Sequence, residues 1–260
     1  MILDQKILVV SGVGPGLGRE VAAAALRDGA NVVIGARRED KLKETASQLD
    51  ASGERVVPCA TDITDPGQCE ALMQTAVDRF GGLDAVVQVA ALDALFGTLQ
   101  STSADDWRKS MEVNVLGTLQ IAQAAVPHLK TRGGGSIVLV GSQSMWLPPR
   151  MPQIAYASAK GAIVSAMYHM ARELGPDRIR VNMVIPTWMW GPPVQAYVKW
   201  QAQERGVAEE AVVSEITANM PLGEIPADED VAEAVVFFCS DRARMITGET
   251  LMVNAGELLR

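Results

Sequence analysis

Ile7-Leu8-Val9-Val10-Ser11-Gly12-Val13-Gly14-Pro15-Gly16-Leu17-Gly18 is the stretch on which the fold turns. An unbroken apolar run ends in a turn with glycine at every second position, and a helical pattern starting near Arg19 follows. Glycine lets a backbone bend tightly and lets its N–H groups approach a pyrophosphate, while the following helix start adds a favourable positive dipole. The spacing is GxxxGxG, from Gly12, Gly16 and Gly18, rather than strict GxGxxG. Strand before, helix after and position at the chain start set it apart from an ordinary glycine-rich turn.

Working outward, the same β-then-α order repeats. Apolar runs stand at Ile7–Val10, Val32–Ile34, Val56–Val57, Ala85–Val89, Ile137–Val140, Val181–Ile185 and Leu251–Val253. They are rich in Val and Ile and continuous rather than alternating, which suits strands covered on both faces of a parallel sheet. Between them lie helical patterns over Arg19–Asp28, Glu39–Leu49, Gln68–Phe80 and Asp105–Leu129. The expected architecture is α/β: one doubly wound parallel sheet with helices on both faces, spanning residues 1–260 as a single domain. One segment breaks the rhythm. From Pro186 to Pro226 no strand pattern occurs, far beyond the usual connection length. Helical spacing at Val194, Tyr197 and Val198, and again at Val212 and Ile216, predicts a helical lid over the carboxyl edge of the sheet.

Bulk properties narrow the partners. The chain has 260 residues, 48% hydrophobic content and a net charge of −8, enough apolar material for a sizeable core. No Lys/Arg-rich run exists, which argues against a nucleic-acid partner. No apolar run reaches the ~18 residues of a membrane span, and Met1 to Val10 reads as a first strand rather than a signal peptide. Cys59, Cys69 and Cys239 form no CxxC pair and read as small buried hydrophobes in a reducing compartment, here the cytoplasm. His128 and His169 stand alone, so no metal site is expected.

The glycine spacing resembles the TGxxxGxG signature of the short-chain dehydrogenase/reductase family, with Ser11 keeping the hydroxyl of the threonine. The likeness runs along nearly the whole chain. Asp62, in Thr61-Asp62-Ile63, matches the family's adenine-binding aspartate, and Asn114, in Val113-Asn114-Val115, its active-site asparagine. Tyr156-Ala157-Ser158-Ala159-Lys160 matches YxxxK, and Ile246-Thr247-Gly248 and Val253-Asn254-Ala255-Gly256 match the C-terminal strand region. Two motifs depart: NNAG reads Gln88-Val89-Ala90-Ala91, and PG reads Pro186-Thr187. The resemblance implies a Rossmann-like fold, hydride transfer between a nicotinamide cofactor and a carbonyl/alcohol pair, and a homo-oligomer, tetramer or dimer. Ser11, Gly12, Gly14, Gly16, Leu17, Gly18, Asp62, Ile63, Ala90, Pro186 and Thr187 are then expected at the cofactor.

Tyrosine and lysine four apart in a helix lie on one face. A phenol titrates near ~10, too high for acid–base work at neutral pH, and a nearby ammonium is expected to lower it. The resemblance gives Tyr156 the role of general acid in reduction and base in oxidation. Lys160 would also hold the nicotinamide ribose, a serine would bind the substrate oxygen, and Asn114 would anchor a relay water. The serine is Ser142 or Ser144. The family places it thirteen residues before the tyrosine, where Gln143 stands, and strand-end geometry favours Ser142.

The end of the second strand reads Gly35-Ala36-Arg37-Arg38, with no carboxylate to repel a ribose phosphate. Guanidinium suits phosphate, so NADP(H) is the expected cofactor, with NAD(H) accepted; a solvated helix start is the plainer reading of Arg37 and Arg38. Trp146, Trp188, Met189, Trp190 and Trp200 fall in predicted loops near the site. Part of them suits the core. Trp146, Trp188 and Trp190, with Ser144, suit a pocket for a bulky apolar ketone or secondary alcohol, Arg150 being the nearest cation. A reductase of carrier-bound acyl chains and a non-catalytic dinucleotide sensor are the alternatives. The acidic balance disfavours the first, since acyl carriers are acidic, and the Ser–Tyr–Lys set the second.

Overall fold

The computed structural model describes residues 1–259. Seven strands form one parallel sheet: β1 (Ile7–Ser11), β2 (Asn31–Ala36), β3 (Val56–Ala60), β4 (Ala85–Gln88), β5 (Gly135–Val140), β6 (Ile179–Pro186) and β7 (Thr250–Val253). Their order is β3-β2-β1-β4-β5-β6-β7. The chain winds outward from β1 to β3, then returns to lay β4 on the other side of β1. That reversal leaves a crevice outside the carboxyl ends of β1 and β4, where doubly wound sheets bind ligands. The expected architecture stands, with every expected strand present.

The continuous apolar runs are explained by two cores. Leu8 and Val10 point into one, against helices α1 (Leu17–Arg27) and α9 (Asp228–Cys239). Ile7 and Val9 point into the other, beneath α3 (Pro66–Phe80), α5 (Thr118–Thr131) and α6 (Ile154–Leu174). Successive side chains of a strand face opposite ways, so a strand covered on both faces is apolar at every position. Helix α2 (Glu39–Leu49) has the predicted bounds. Helix α3 is started by Asp65, whose carboxylate accepts from the Gln68 N–H, with Pro66 in its first turn, and is stopped by left-handed Gly81.

Three expectations need correction. The helix expected over Asp105–Leu129 is broken into α4 (Ala104–Met111), a π-helical turn (Glu112–Gly117) and α5. The widened turn contains Asn114, and π-turns commonly mark functional positions. Trp200 lies in a helix rather than a loop, within α7 (Pro192–Arg205). This helix and α8 (Glu209–Thr217) fill the excursion between β6 and α9. They pack on each other through Val198, Ala202 and Val212, a small apolar cluster separate from the two sheet cores. Among the described residues no helix is long and apolar enough to cross a membrane. All three cysteines are free; Cys69 and Cys239 are buried, but Cys59, at the end of an edge strand, is only half-buried.

Candidate active site

At the switch point the turn after β1 is shaped by close backbone approaches. Gly12 has φ +95°, and a Cβ there would lie 2.2 Å from the Ala90 nitrogen; one at Gly18 would lie 2.3 Å from the Gly12 oxygen. Ser11 explains the first approach, since its carbonyl accepts from both Val89 and Ala90 N–H, at 2.9 and 3.0 Å. The turn is thus pressed onto the end of β4. Gly14, by contrast, has nothing within 4 Å of a Cβ position and faces open space. The first turn of α1 has no side-chain cap at Gly16, leaving its N–H groups for an anion. These residues fit the pyrophosphate of a dinucleotide.

Farther along the crevice, Asp62 accepts from Thr64 N–H and hydroxyl, and the Thr64 N–H above all holds its carboxyl below the usual range. Ile63 is buried beside the π-turn, against Gly117. Arg37 and Arg38 are exposed at the start of α2, and neither forms an ion pair among the described residues. Glu39, the nearest acid in sequence that could have satisfied them, is paired with Lys43. The altered NNAG segment finds a partial substitute: the Gln88 amide donates to the Ala90 carbonyl at 3.1 Å and to Thr118, while its Oε1 is buried with no partner among the described residues.

On the other side of the crevice Tyr156 and Lys160 stand one turn apart in α6, with the ammonium 5.7 Å from the centre of the phenol ring. The Lys160 Nζ donates to the Val140 carbonyl at 2.7 Å, at the end of β5. Ser142, two residues on, lies close enough to the Tyr156 hydroxyl to draw its pKa down slightly. Ser142 and Ser144 share a hydrogen bond at 2.9 Å, and a 3₁₀ turn over Gln143–Met145 takes up the extra residue before the tyrosine. Of the two candidate serines, Ser142 is the one that meets the phenol. Burial pulls the Lys160 ammonium down to about 8, and burial first, then the charge of Asp93, pushes the Tyr156 phenol well up. The expected depression of the phenol by its lysine is therefore not found in the unliganded chain: desolvation outweighs an ammonium turned toward a carbonyl.

Asn114 is occupied. Its Oδ1 accepts from the Leu92 N–H at 2.8 Å, and its two amide protons go to the Leu92 carbonyl and the Ser110 hydroxyl. One Oδ1 lone pair and the main-chain carbonyl, which already takes the Thr118 hydroxyl at 2.8 Å, are left for a relay water. Asn114 in this state is a clamp on the loop after β4. The aromatics divide. Trp188 meets Tyr197 in a tilted contact, with ring centres 5.3 Å apart, and Tyr197 meets Trp200 likewise at 6.1 Å. Trp146 and Met145 lean on the core under α6, Met189 packs on the opposite core, and Trp190 is exposed. Arg150 is turned to solvent and to Glu215 of α8, 4.0 Å away.

Sequence reasoning missed three residues. Gln143, where the family has its serine, is buried: its Oε1 accepts from Asn254 at 2.6 Å and its amide donates to Glu257 at 2.8 Å. The Thr187 hydroxyl also donates to Glu257, so the C-terminal segment is tied beneath the catalytic loop. Asp228 is only 6% exposed, has no hydrogen bond or ion pair among the described residues, and lies against Gly16 and Gly191. Burial above all raises its carboxyl. Asp93 is the third. Only proximity in space distinguishes these residues, and no local pattern carries it.

A glycine-shaped turn at the switch point of a parallel sheet, facing a Ser–Tyr–Lys cluster, defines the class of dinucleotide-dependent oxidoreductases. A family model described as enoyl-(acyl carrier protein) reductase matches residues 12–257. The chain is 31% identical to dehydrogenase/reductase SDR family member 4 of Bos taurus, over 98% of this chain and 88% of that one. Among solved structures it resembles a short-chain type dehydrogenase/reductase from Mycobacterium ulcerans, at TM-score 0.90 and 29% identity, covering 100% and 92% of the two chains. It also resembles the L-sorbose reductase of Gluconobacter frateurii complexed with NADPH and L-sorbose, at TM-score 0.92 and 26% identity, covering 100% of both. The chain belongs to the short-chain dehydrogenase/reductase family.

Proposed function

We propose that this oxidoreductase reduces a bulky, largely apolar ketone to a secondary alcohol with NADP(H), NAD(H) serving less well. The observation that carries the reading is the Lys160 ammonium, 5.7 Å from the centre of the Tyr156 ring and bonded to the Val140 carbonyl two residues before Ser142, across the crevice from the glycine turn. When bound, the nicotinamide supplies the hydride. Ser142 and Tyr156 both donate to the substrate oxygen, which aligns the carbonyl and stabilises the charge that develops on it. A phenol held high in pKa stays protonated at neutral pH, so Tyr156 enters as an acid, the state that reduction needs. Lys160 has two ammonium protons left after its bond to Val140, enough to hold ribose hydroxyls while its charge stabilises the departing phenolate. Asn114, through Leu92, fixes the wall of the pocket.

The segment 186–226 acts as a lid, and the tilted ring contacts of Trp188, Tyr197 and Trp200 give it an apolar surface. Burial of a ring or chain against it contributes ~25 cal/mol per Å² of apolar area. Arg37 and Arg38, neither in an ion pair among the described residues, suit the ribose phosphate that distinguishes NADP(H). Cytoplasmic location and assembly into a dimer or tetramer complete the reading; a carrier-bound acyl substrate fits the chain's net charge of −8 poorly. The test is a turnover screen of ketones of rising apolar size and of small keto acids, with both cofactors. Higher kcat/KM for keto acids would remove the substrate class. In parallel, Arg37→Ala and Arg38→Ala should each weaken NADPH binding about tenfold, the order of ~1.4 kcal/mol, and leave NADH binding unchanged.

A further inference from the structure

Beyond Gln88 the chain leaves the sheet and crosses the front of the catalytic helix. This crossing is fastened at three points. Asn114 holds both backbone groups of Leu92, at 2.8 and 2.9 Å. The Gln153 amide donates to the Asp93 carbonyl at 3.1 Å. Gly97 then runs parallel to Gln153 in an isolated bridge, its N–H donating to the Pro152 carbonyl at 2.8 Å. The main chain of Asp93 is therefore fixed beside residue 153, three positions before the catalytic tyrosine. The Asp93 carboxylate is exposed and has neither a hydrogen bond nor an ion pair among the described residues. Its charge acts on both Tyr156 and Lys160. Arg150, the nearest cation in the loop after β5, is 92% exposed and faces Glu215, so it does not neutralise this acid. An unpaired acceptor, carried on a main chain held beside the start of the catalytic helix, is available to a ligand.

We propose that Asp93 is a specificity residue, which accepts a hydrogen bond from a hydroxyl or ammonium group adjoining the reacting carbonyl and turns away substrates with a carboxylate or phosphate there. This deepens the proposed ketone reduction and rests on it. The apolar body of the substrate lies against the lid aromatics, and Asp93 reads the polar end. A carboxylate accepts strongly from O–H and N–H donors, and an anion placed beside it meets like charge.

A series on one aromatic frame tests this: acetophenone, phenacyl alcohol, phenacylamine and benzoylformate, each with NADPH, on the wild type, Asp93→Asn and Asp93→Ala. In the wild type kcat/KM for the alcohol and the amine should exceed that for acetophenone at least tenfold, with benzoylformate lowest. Asp93→Asn keeps an acceptor without charge, so it should retain the preference for the alcohol, lose most of that for the amine and raise benzoylformate about tenfold. Asp93→Ala should lose both preferences. Quenching of tryptophan fluorescence by the same four compounds reads binding without turnover. Equal use of acetophenone and phenacyl alcohol by the wild type, or unchanged ratios in Asp93→Ala, overturns the assignment while leaving ketone reduction in place. No turnover of any ketone in the series or the wider screen, with either cofactor, overturns the reductase reading and the role of Asp93 with it.

Discussion

The turn after β1 and the excursion between β6 and α9 flank the same crevice, yet they are built on opposite principles. The turn holds its shape through backbone: Gly12 is pressed on Ala90, Gly18 on Gly12, and Ser11 bonds two N–H groups of β4's extension. It sits on strands buried on both faces. The two helices of the excursion meet through a small buried cluster, Val198, Ala202 and Val212, separate from the sheet cores. A cofactor common to many enzymes can be met by a rigid cradle. A substrate that must enter and leave needs a cover whose opening costs little, and small cores open readily.

The strongest way to break this contrast is at Gly12. Gly12→Ala forces a Cβ within 2.2 Å of the Ala90 nitrogen at a φ of +95°. Neither strand end can retreat, so the expected loss is ~3 kcal/mol of stability, roughly 6–12 °C in Tm for a chain of this size, together with cofactor binding. Calorimetry and nucleotide titration check it; a variant with wild-type Tm would show that the turn is softer than its contacts imply.

Tyr156 belongs to neither flank, and Tyr156→Phe should separate chemistry from both. Turnover should fall by ~10² or more while nucleotide binding and Tm stay near wild type, because only the transferable proton is removed. A parallel pair of truncations compares the two cores. Leu72→Ala, under the sheet, should cost 2–5 kcal/mol and lower Tm with little selective effect on KM. Val198→Ala, in the excursion, should leave Tm within ~2 °C while raising KM for a bulky ketone several-fold, since opening there is local. If Val198→Ala lowered Tm as far as Leu72→Ala, the excursion would be part of the main cooperative unit.

The smallest effect is a pH limb. With the ammonium of Lys160 brought down to about 8, it is charged below that pH and loses its proton as pH rises through it. Reductive kcat/KM should therefore fall above about pH 8, and Lys160→Arg should remove that limb whatever its effect on rate. A profile flat to about pH 10 would mean that Lys160 acts without its charge.

The alternation of Val/Ile runs with helical patterns determined the sheet, because a two-faced strand must be apolar at each position. The glycine turn was equally legible, since only glycine tolerates such approaches. YxxxK could be read because its spacing is one helical turn. What stayed hidden arises between distant segments. Spacing from the tyrosine points to Gln143 and strand-end geometry to Ser142, but the burial of Gln143 against Asn254 and Glu257 could not be read from either. The pattern over Asp105–Leu129 is helical throughout, and only packing of Asn114 against the loop after β4 accompanies the widening of one turn. The Lys160 ammonium is expected from sequence to lower the Tyr156 phenol. Their burial, a property of the assembled crevice, set both pKa values instead. Periodicity and steric permission are local, so the sequence alone fixes them. Desolvation and the meeting of residues such as Asp93 and Gln153, sixty positions apart, exist only once the chain has folded.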